Sequence, residues 1–314
     1  MKTMKTLLAG VAGMAMLAAC ETYGAETADV AAPDMPAETS SEMADDMASE
    51  KVDAAAVEVK SGVDAVALAA AVDAQSDEAK ARYDSRHPVE TLTFFGIEPG
   101  MTVAEALPGG GWYTKILLPY LGPEGTLVGA HYPNEIWELF GGAAGSTEDR
   151  IKAVAEWPEK AAAWEIDNPA KIKSVQLTKM PEKADGKVDA VLFIRALHNL
   201  NRFEGEGQFM SNTLAETFRV LKPGGVVGVV QHEAPESNPD EWADGSKGYL
   251  KKSAVIAAFE GAGFVLDGES DINANAKDMP AGDNGFVWRL PPTLAGTEEG
   301  TPERAAEFLP GSPG

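Results

Sequence analysis

The densest chemical signal in the chain is the run Val103-Ala104-Glu105-Ala106-Leu107-Pro108-Gly109-Gly110-Gly111-Trp112. An apolar strand pattern runs into a glycine turn that opens a helix. Glycines let the backbone come close to a ligand, and the helix start offers N–H groups with no intrahelical partner. This arrangement is shared by nucleotide-binding α/β folds in general. Two details narrow it. Glu105 stands at the strand end, and Thr114 occupies the place where a dinucleotide fingerprint has its third glycine or alanine. A carboxylate at that point repels a pyrophosphate. It suits a cofactor with a cationic amino-acid group, reached through one bridging water. NAD-linked oxidation stays an alternative on the glycine turn alone.

The chain has four histidines. His131, His198 and His232 each follow a predicted strand, and open α/β sheets bind ligands outside the carboxyl ends of their strands. Three imidazoles are therefore expected at one crevice, with His87, beside Asp84 and Arg86, in an N-terminal segment that folds over it. Each is weighed against an ordinary place in a turn or helix cap; for His232, followed by Glu233, the ordinary place is favoured. Neutral imidazoles are also zinc or iron ligands, but the spacing matches no compact metal motif, and no metal is expected. Trp112 and Tyr113 either wall a pocket or pack the helix start.

The elements that must position these residues alternate between strand and helix. Strands are predicted at 101–107, 125–131, 173–177, 188–194, 226–231, 264–267 and 286–290. Helices are predicted at 112–121, 203–221 and 250–262, with one or two more between 133 and 164. The β-branched run at 226–231 reads as a buried parallel strand. Such alternation implies an α/β fold, a doubly wound and mostly parallel seven-stranded sheet, ending in a C-terminal antiparallel hairpin. The folded domain is expected over residues 77–294 and a flexible tail over 295–314.

Composition excludes some functions. The net charge of -23 argues against nucleic acid, whose phosphates need clustered Lys and Arg. Residues 21–60 hold 11 acidic and 2 basic side chains and almost no aromatics, so 20–76 reads as an acidic, Ala-rich disordered linker, with a helix possible over 61–76. Residues 1–19 read as a targeting segment. Lys2 and Lys5 precede an apolar run from Leu7 to Ala19, too short to span a bilayer. That run closes on Leu17-Ala18-Ala19-Cys20, which resembles the lipobox of bacterial lipoproteins, in which the cysteine is acylated and the leader cut just before it. Cys20 is the chain's one cysteine, so its lipidation excludes disulfides, thiolate metal sites and cysteine nucleophiles. Glu21 follows it, where an aspartate favours inner-membrane retention in some bacteria. The expected location is the cell envelope, lipid-anchored at the periplasmic face of the outer membrane.

Glu105, Gly109 and Gly111 together resemble the first motif of class I S-adenosylmethionine-dependent methyltransferases. Residues 189–200 lie where that family has its fourth motif, and Leu221-Lys222-Pro223-Gly224-Gly225 matches the turn before its fifth strand. The chain is also similar to a group of predicted bacterial methyltransferases of unassigned substrate. That similarity lies in Arg82-Tyr83-Asp84-Ser85-Arg86-His87-Pro88, Pro108-Gly109-Gly110-Gly111-Trp112-Tyr113-Thr114, Arg195-Ala196-Leu197-His198-Asn199 and Trp288-Arg289-Leu290-Pro291-Pro292. The resemblance implies methyl transfer from S-adenosyl-L-methionine to a small-molecule acceptor. Glu105, Pro108, Gly109, Gly110, Gly111, Trp112 and His131 would hold the cofactor. His198 would act as base or substrate contact, and Arg195 or Asn199 would position the acceptor. One departure stands out. Family members carry an acid at the end of strand two for the ribose hydroxyls, whereas this chain has His131-Tyr132-Pro133, with Glu135 in the following loop. Because S-adenosylmethionine is made in the cytoplasm, a catalytically inactive envelope binding module on the same fold is the alternative.

Overall fold

The computed structural model describes residues 1–9, 62–141 and 146–275. The strands are β1 (Thr3–Ala9), β2 (Thr102–Ala106), β3 (Thr126–His131), β4 (Lys171–Gln176), β5 (Val188–Ile194), β6 (Leu221–Ala234), β7 (Tyr249–Lys251) and β8 (Val265–Ser270). They form one sheet in the order β4-β3-β2-β5-β6-β1-β8, with β7 beside β6. All pairings between these strands are parallel. The chain builds outward from β2 to β4, then returns to lay β5 on the other side of β2. The switch point between β2 and β5 is where a doubly wound sheet opens a crevice.

The strand sequences explain this burial. Every residue of β3 is buried, and β5, Val-Asp-Ala-Val-Leu-Phe-Ile, is a near-continuous apolar run, as a sheet covered on both faces requires. Alternate residues enter opposite cores. Ala104, Val191 and Phe193 join one, while Val103, Ala190 and Leu192 join the other.

Helices α1 (Ala65–Asp73), α2 (Asp77–Lys80), α3 (Tyr83–Arg86), α4 (Pro88–Phe95) and α5 (Thr114–Leu121) precede or follow β2. The Asp64 side chain accepts from the N–H groups of Val66 and Ala67, capping α1. Helix α1 buries Leu68, Ala71 and Val72 in the core shared with α4 and α5. The folded body thus takes in a helix from the stretch expected to be linker, ahead of the expected boundary at 77. Its apolar face, hidden in an Ala-rich sequence, is the reason.

Among the described residues, the stretch after β3 holds three α-helices, α6 (Ile136–Leu139), α7 (Thr147–Ala155) and α8 (Trp157–Ala162). After β5 come α9 (Leu197–Arg202), α10 (Glu204–Gly207) and α11 (Phe209–Val220); α12 (Lys252–Gly261) precedes β8. The single helix expected over 203–221 is broken at Gln208, which takes φ 51°. Gly205 and Gly207 weaken the first turn, and the Glu204 carboxylate accepts from the N–H of Met210, starting a new helix. Strand β6 also extends further than 226–231, because Leu221 pairs with Val188 and draws the Lys-Pro-Gly-Gly turn into the strand.

Strand β1 is the least expected element. Residues 3–9, read in sequence as the start of a targeting leader, pair with β6 from Thr3↔Val226 to Ala9↔His232 and with β8 on the other side. Parallel pairing on both edges holds it there, with Met4 buried in the core and Lys5 buried beside it. Strand β8 matches the predicted strand at 264–267. Its hairpin partner at 286–290, the tail, the acidic segment and Cys20 lie outside the described residues. Among the described residues, no helix is long and apolar enough to cross a membrane.

Candidate functional site

A cavity of about 720 Å³ lies at the carboxyl ends of β2 and β3 and the loop after β5. Gly109, Gly110, His131 and Asn199 all line it. The turn after β2 is built from left-handed backbone: Leu107 has φ 55°, Gly109 φ 53° and Gly111 φ 82°. The Gly111 N–H donates to the Pro108 carbonyl at 2.7 Å, closing the turn around the buried proline. A β-carbon on Gly111 would lie 2.1 Å from the Trp164 ring, whereas one on Gly110 would meet no atom within 4 Å. Gly111 is therefore required by its own turn, and Gly110 faces open space.

Glu105 is buried and accepts a hydrogen bond of 2.6 Å from the Thr114 hydroxyl. It ties the end of β2 to the start of α5 and is not among the residues lining the cavity. Burial pushes its carboxyl up to about 7, against a smaller downward pull from the Thr114 hydrogen bonds.

His131 ends β3 and is buried. Its ring meets Trp157 edge-on at 5.7 Å, and its Nε2 is buried without a hydrogen-bond partner. Trp157 lies over β3 because residue 129 is glycine; a β-carbon there would come within 2.8 Å of the indole. Burial lowers the imidazole to about 4, so it is neutral at pH 7. Glu135 does not stand in for the strand-end acid. It pairs on the surface with Lys179 at 2.6 Å and is absent from the cavity lining. The carboxylate that does line the cavity is Glu156, between α7 and α8. No motif marks it in the sequence. Trp137, Phe140 and Arg150 also line the cavity and were equally invisible in the sequence.

Arg195, first after β5, adopts φ 55°, and its N–H donates to Val230 at 2.7 Å. This left-handed step turns the chain into α9 and separates two neighbours. Asn199 faces the large cavity, while Arg195 lines a second, smaller one with Arg86, Tyr113 and His232. His198 lines neither. Its Nδ1 is buried without a partner, and burial, followed by the nearby His232, lowers it to about 4.

The N-terminal segment does fold over the start of α5. Arg86 stacks on Trp112 at 4.5 Å, Tyr83 meets the same ring edge-on at 5.8 Å, and the indole N–H donates to the Ala79 carbonyl. Trp112 thereby anchors that segment and lines neither cavity, while Tyr113 lines the smaller one. His87 forms the left-handed joint between α3 and α4, at φ 39°. Among the described residues, no three His, Cys, Asp or Glu side chains converge as a metal site.

No protein-family model matches the chain. Over 108 residues it is 33% identical to a sterol 24-C-methyltransferase of Yarrowia lipolytica, a match covering 31% of this chain and 26% of that enzyme. Among solved structures, it is similar to a SAM-dependent methyltransferase from Aquifex aeolicus, at 20% identity and a TM-score of 0.40, covering 62% of this chain and 87% of that one. It is also similar to geranyl diphosphate C-methyltransferase from Streptomyces coelicolor, at 16% identity and a TM-score of 0.40, covering 62% of this chain and 68% of that one. The matched segment thus spans about a quarter of the curated relative, and the fold rests on the strand order itself.

Proposed function

We propose that this chain transfers the methyl group of S-adenosyl-L-methionine to a small-molecule acceptor. The observation that carries the reading is the 720 Å³ cavity at the switch point of the sheet, bounded by the Gly109–Gly110 turn and by His131. The group's fit is supported by what the cavity offers. Gly110 leaves room for backbone approach, and the orphaned His131 Nε2 sits beside Trp157, an aromatic wall suited to a purine. Glu156, which lines the cavity and pairs with Lys152 at 3.8 Å, would accept from ribose hydroxyls in place of the strand-end acid. When bound, the cofactor supplies an electrophilic methyl on a sulfonium.

The chain's own task is to hold an acceptor in line with that methyl, so proximity supplies most of the rate. Asn199 reaches the cavity and serves as a positioning donor or acceptor. His198, neutral at pH 7 on α9 beside Asn199, is the base assigned to an acceptor that loses a proton. In this reading the chain is exported and carries lipid on Cys20, and the acidic stretch at 21–60 spaces the enzyme from the outer membrane.

A binding module without turnover is favoured by one observation, the commitment of Glu135 to Lys179 instead of the cavity. Calorimetric titration of the full-length chain carrying Cys20→Ser tests the proposal, with S-adenosylmethionine, S-adenosylhomocysteine and NAD as ligands. Micromolar binding of the first two and not of NAD is expected. Absence of binding to folded protein overturns the methyl-transfer reading in favour of the binding module.

A further inference from the structure

The smaller cavity, about 20 Å³, brings together two arginines from distant parts of the chain. Arg86 ends α3, and Arg195 stands in left-handed backbone at the end of β5. Tyr113, Gln231, His232 and Asn273 are among the other residues that line it. Both guanidiniums are partly buried, and among the described residues neither forms an ion pair. The Arg86 Nε is buried without a hydrogen-bond partner. Arg86 is repelled by Arg195 and Arg82, and Arg195 by Arg82, while the Tyr113 phenol acts on both in the opposite sense. Burial and these like charges pull both guanidiniums below their ordinary range.

A guanidinium keeps its proton at any ordinary pH, so it answers such an environment by taking a counter-anion. Burying like charges side by side without one is costly. The arrangement also runs against composition, since the chain's net charge is -23 and carboxylates are plentiful. The backbone of Arg195 adds to this, because a non-glycine residue held in left-handed conformation marks a position that the surroundings enforce.

We propose that Arg86 and Arg195 bind an oxyanion, a carboxylate or phosphate group carried by the methyl acceptor. The planar forks of two arginines match the paired oxygens of either group. The cavity is too small for a whole acceptor, so it takes the anionic head. The start of α5 and the loop after β5 separate it from the larger cavity: Gly110 and Asn199 face one, Tyr113 and Arg195 the other. The claim rests on the methyl-transfer reading for the identity of its occupant, and on the arginine pair for the site itself.

The test uses the full-length Cys20→Ser chain, with inorganic phosphate and acetate as probes at constant ionic strength and S-adenosylhomocysteine titrated in parallel. One or both anions are expected to raise the melting temperature, phosphate alone marking a phosphoryl head and acetate a carboxylate. Arg86→Gln and Arg195→Gln should each weaken that response at least about tenfold, and Arg195→Lys should recover part of it. Without anion, Arg195→Gln should melt no lower than the parent, because one of two like charges is gone; a marked fall would show a structural role and overturn the proposal. No anion response, or one unchanged in the variants, overturns it as well. Equal loss of S-adenosylhomocysteine affinity in the variants also overturns it, by assigning the pair to the cofactor's own carboxylate. If the parent binds anion through the arginines but no S-adenosylhomocysteine, the anion site stands and the methyl-transfer reading falls.

Discussion

The Trp164 ring lies so close to Gly111 that a β-carbon there would come within 2.1 Å of it, while the neighbouring Gly110 has no such contact. Adjacent glycines of one turn thus have different jobs. Gly111→Val should lower stability by more than about 2 kcal/mol, through both the clash and the left-handed φ. Gly110→Val should leave the melting temperature within a few degrees, yet weaken S-adenosylhomocysteine binding at least about tenfold by filling the cavity. Calorimetry and thermal melts of the two variants check this. Equal binding by Gly110→Val and the parent would remove the turn from the cofactor site.

How much of this was legible in sequence depends on whether the cause was local. Strand β5 was readable to the residue, because a doubly buried parallel strand needs a near-continuous apolar run and Val188–Ile194 is one, interrupted by Asp189 alone. The glycine turn was legible for the same kind of reason. Glu156, Arg150 and Trp137 were not, because their role comes from how α6, α7 and α8 fold back over β3, which no local pattern encodes. The split of the loop after β5 was equally hidden. Arg195 and Asn199 stand four apart but face different cavities, owing to one left-handed residue.

Glu105 makes stability depend on pH. Its folded-state carboxyl is raised to about 7 from an ordinary value of 4.5. Between those values the folded chain holds a proton that the unfolded chain has lost, so this group's contribution falls as pH rises through the window. At about 1.36 kcal/mol per unit, the loss amounts to about 3 kcal/mol by pH 8. Glu105→Gln keeps an acceptor for the Thr114 hydroxyl and removes the ionisation. The variant should therefore gain on the parent between pH 5 and pH 8 in urea unfolding. A constant difference across that range would show that the carboxyl titrates normally.

His131 acts in the opposite direction. Its folded value is lowered to about 4 by burial, below the ordinary 6.5, so its contribution is complete above pH 6.5 and is lost as pH falls toward 4. His131→Phe keeps a ring against Trp157 and removes the proton-binding nitrogen. The variant should resist acid better than the parent between pH 6 and pH 4.5. It should also bind S-adenosylhomocysteine about threefold to tenfold more weakly, the usual worth of one hydrogen bond. Acid resistance without any loss of affinity would leave His131 in the fold and take it out of cofactor binding.

The proposed export makes its own demand on the sheet. Strand β1 joins β6 to β8, and cleavage ahead of Cys20 would remove it, leaving two facing strand edges with unpaired backbone groups. A mature chain has to fill that place. The sequence at 286–290, expected as a hairpin strand after 264–267, has the alternation such a place would need. A chain beginning at residue 20 should therefore fold and melt within a few degrees of the full-length protein. In that shorter chain Trp288→Asp should cost several kcal/mol, about the penalty for a charge forced into a buried strand, and in the full-length chain markedly less. Thermal and urea unfolding of the four proteins decide the matter. If the shorter chain fails to fold, β1 is a permanent strand, and the leader at 1–19 cannot be removed from a working protein.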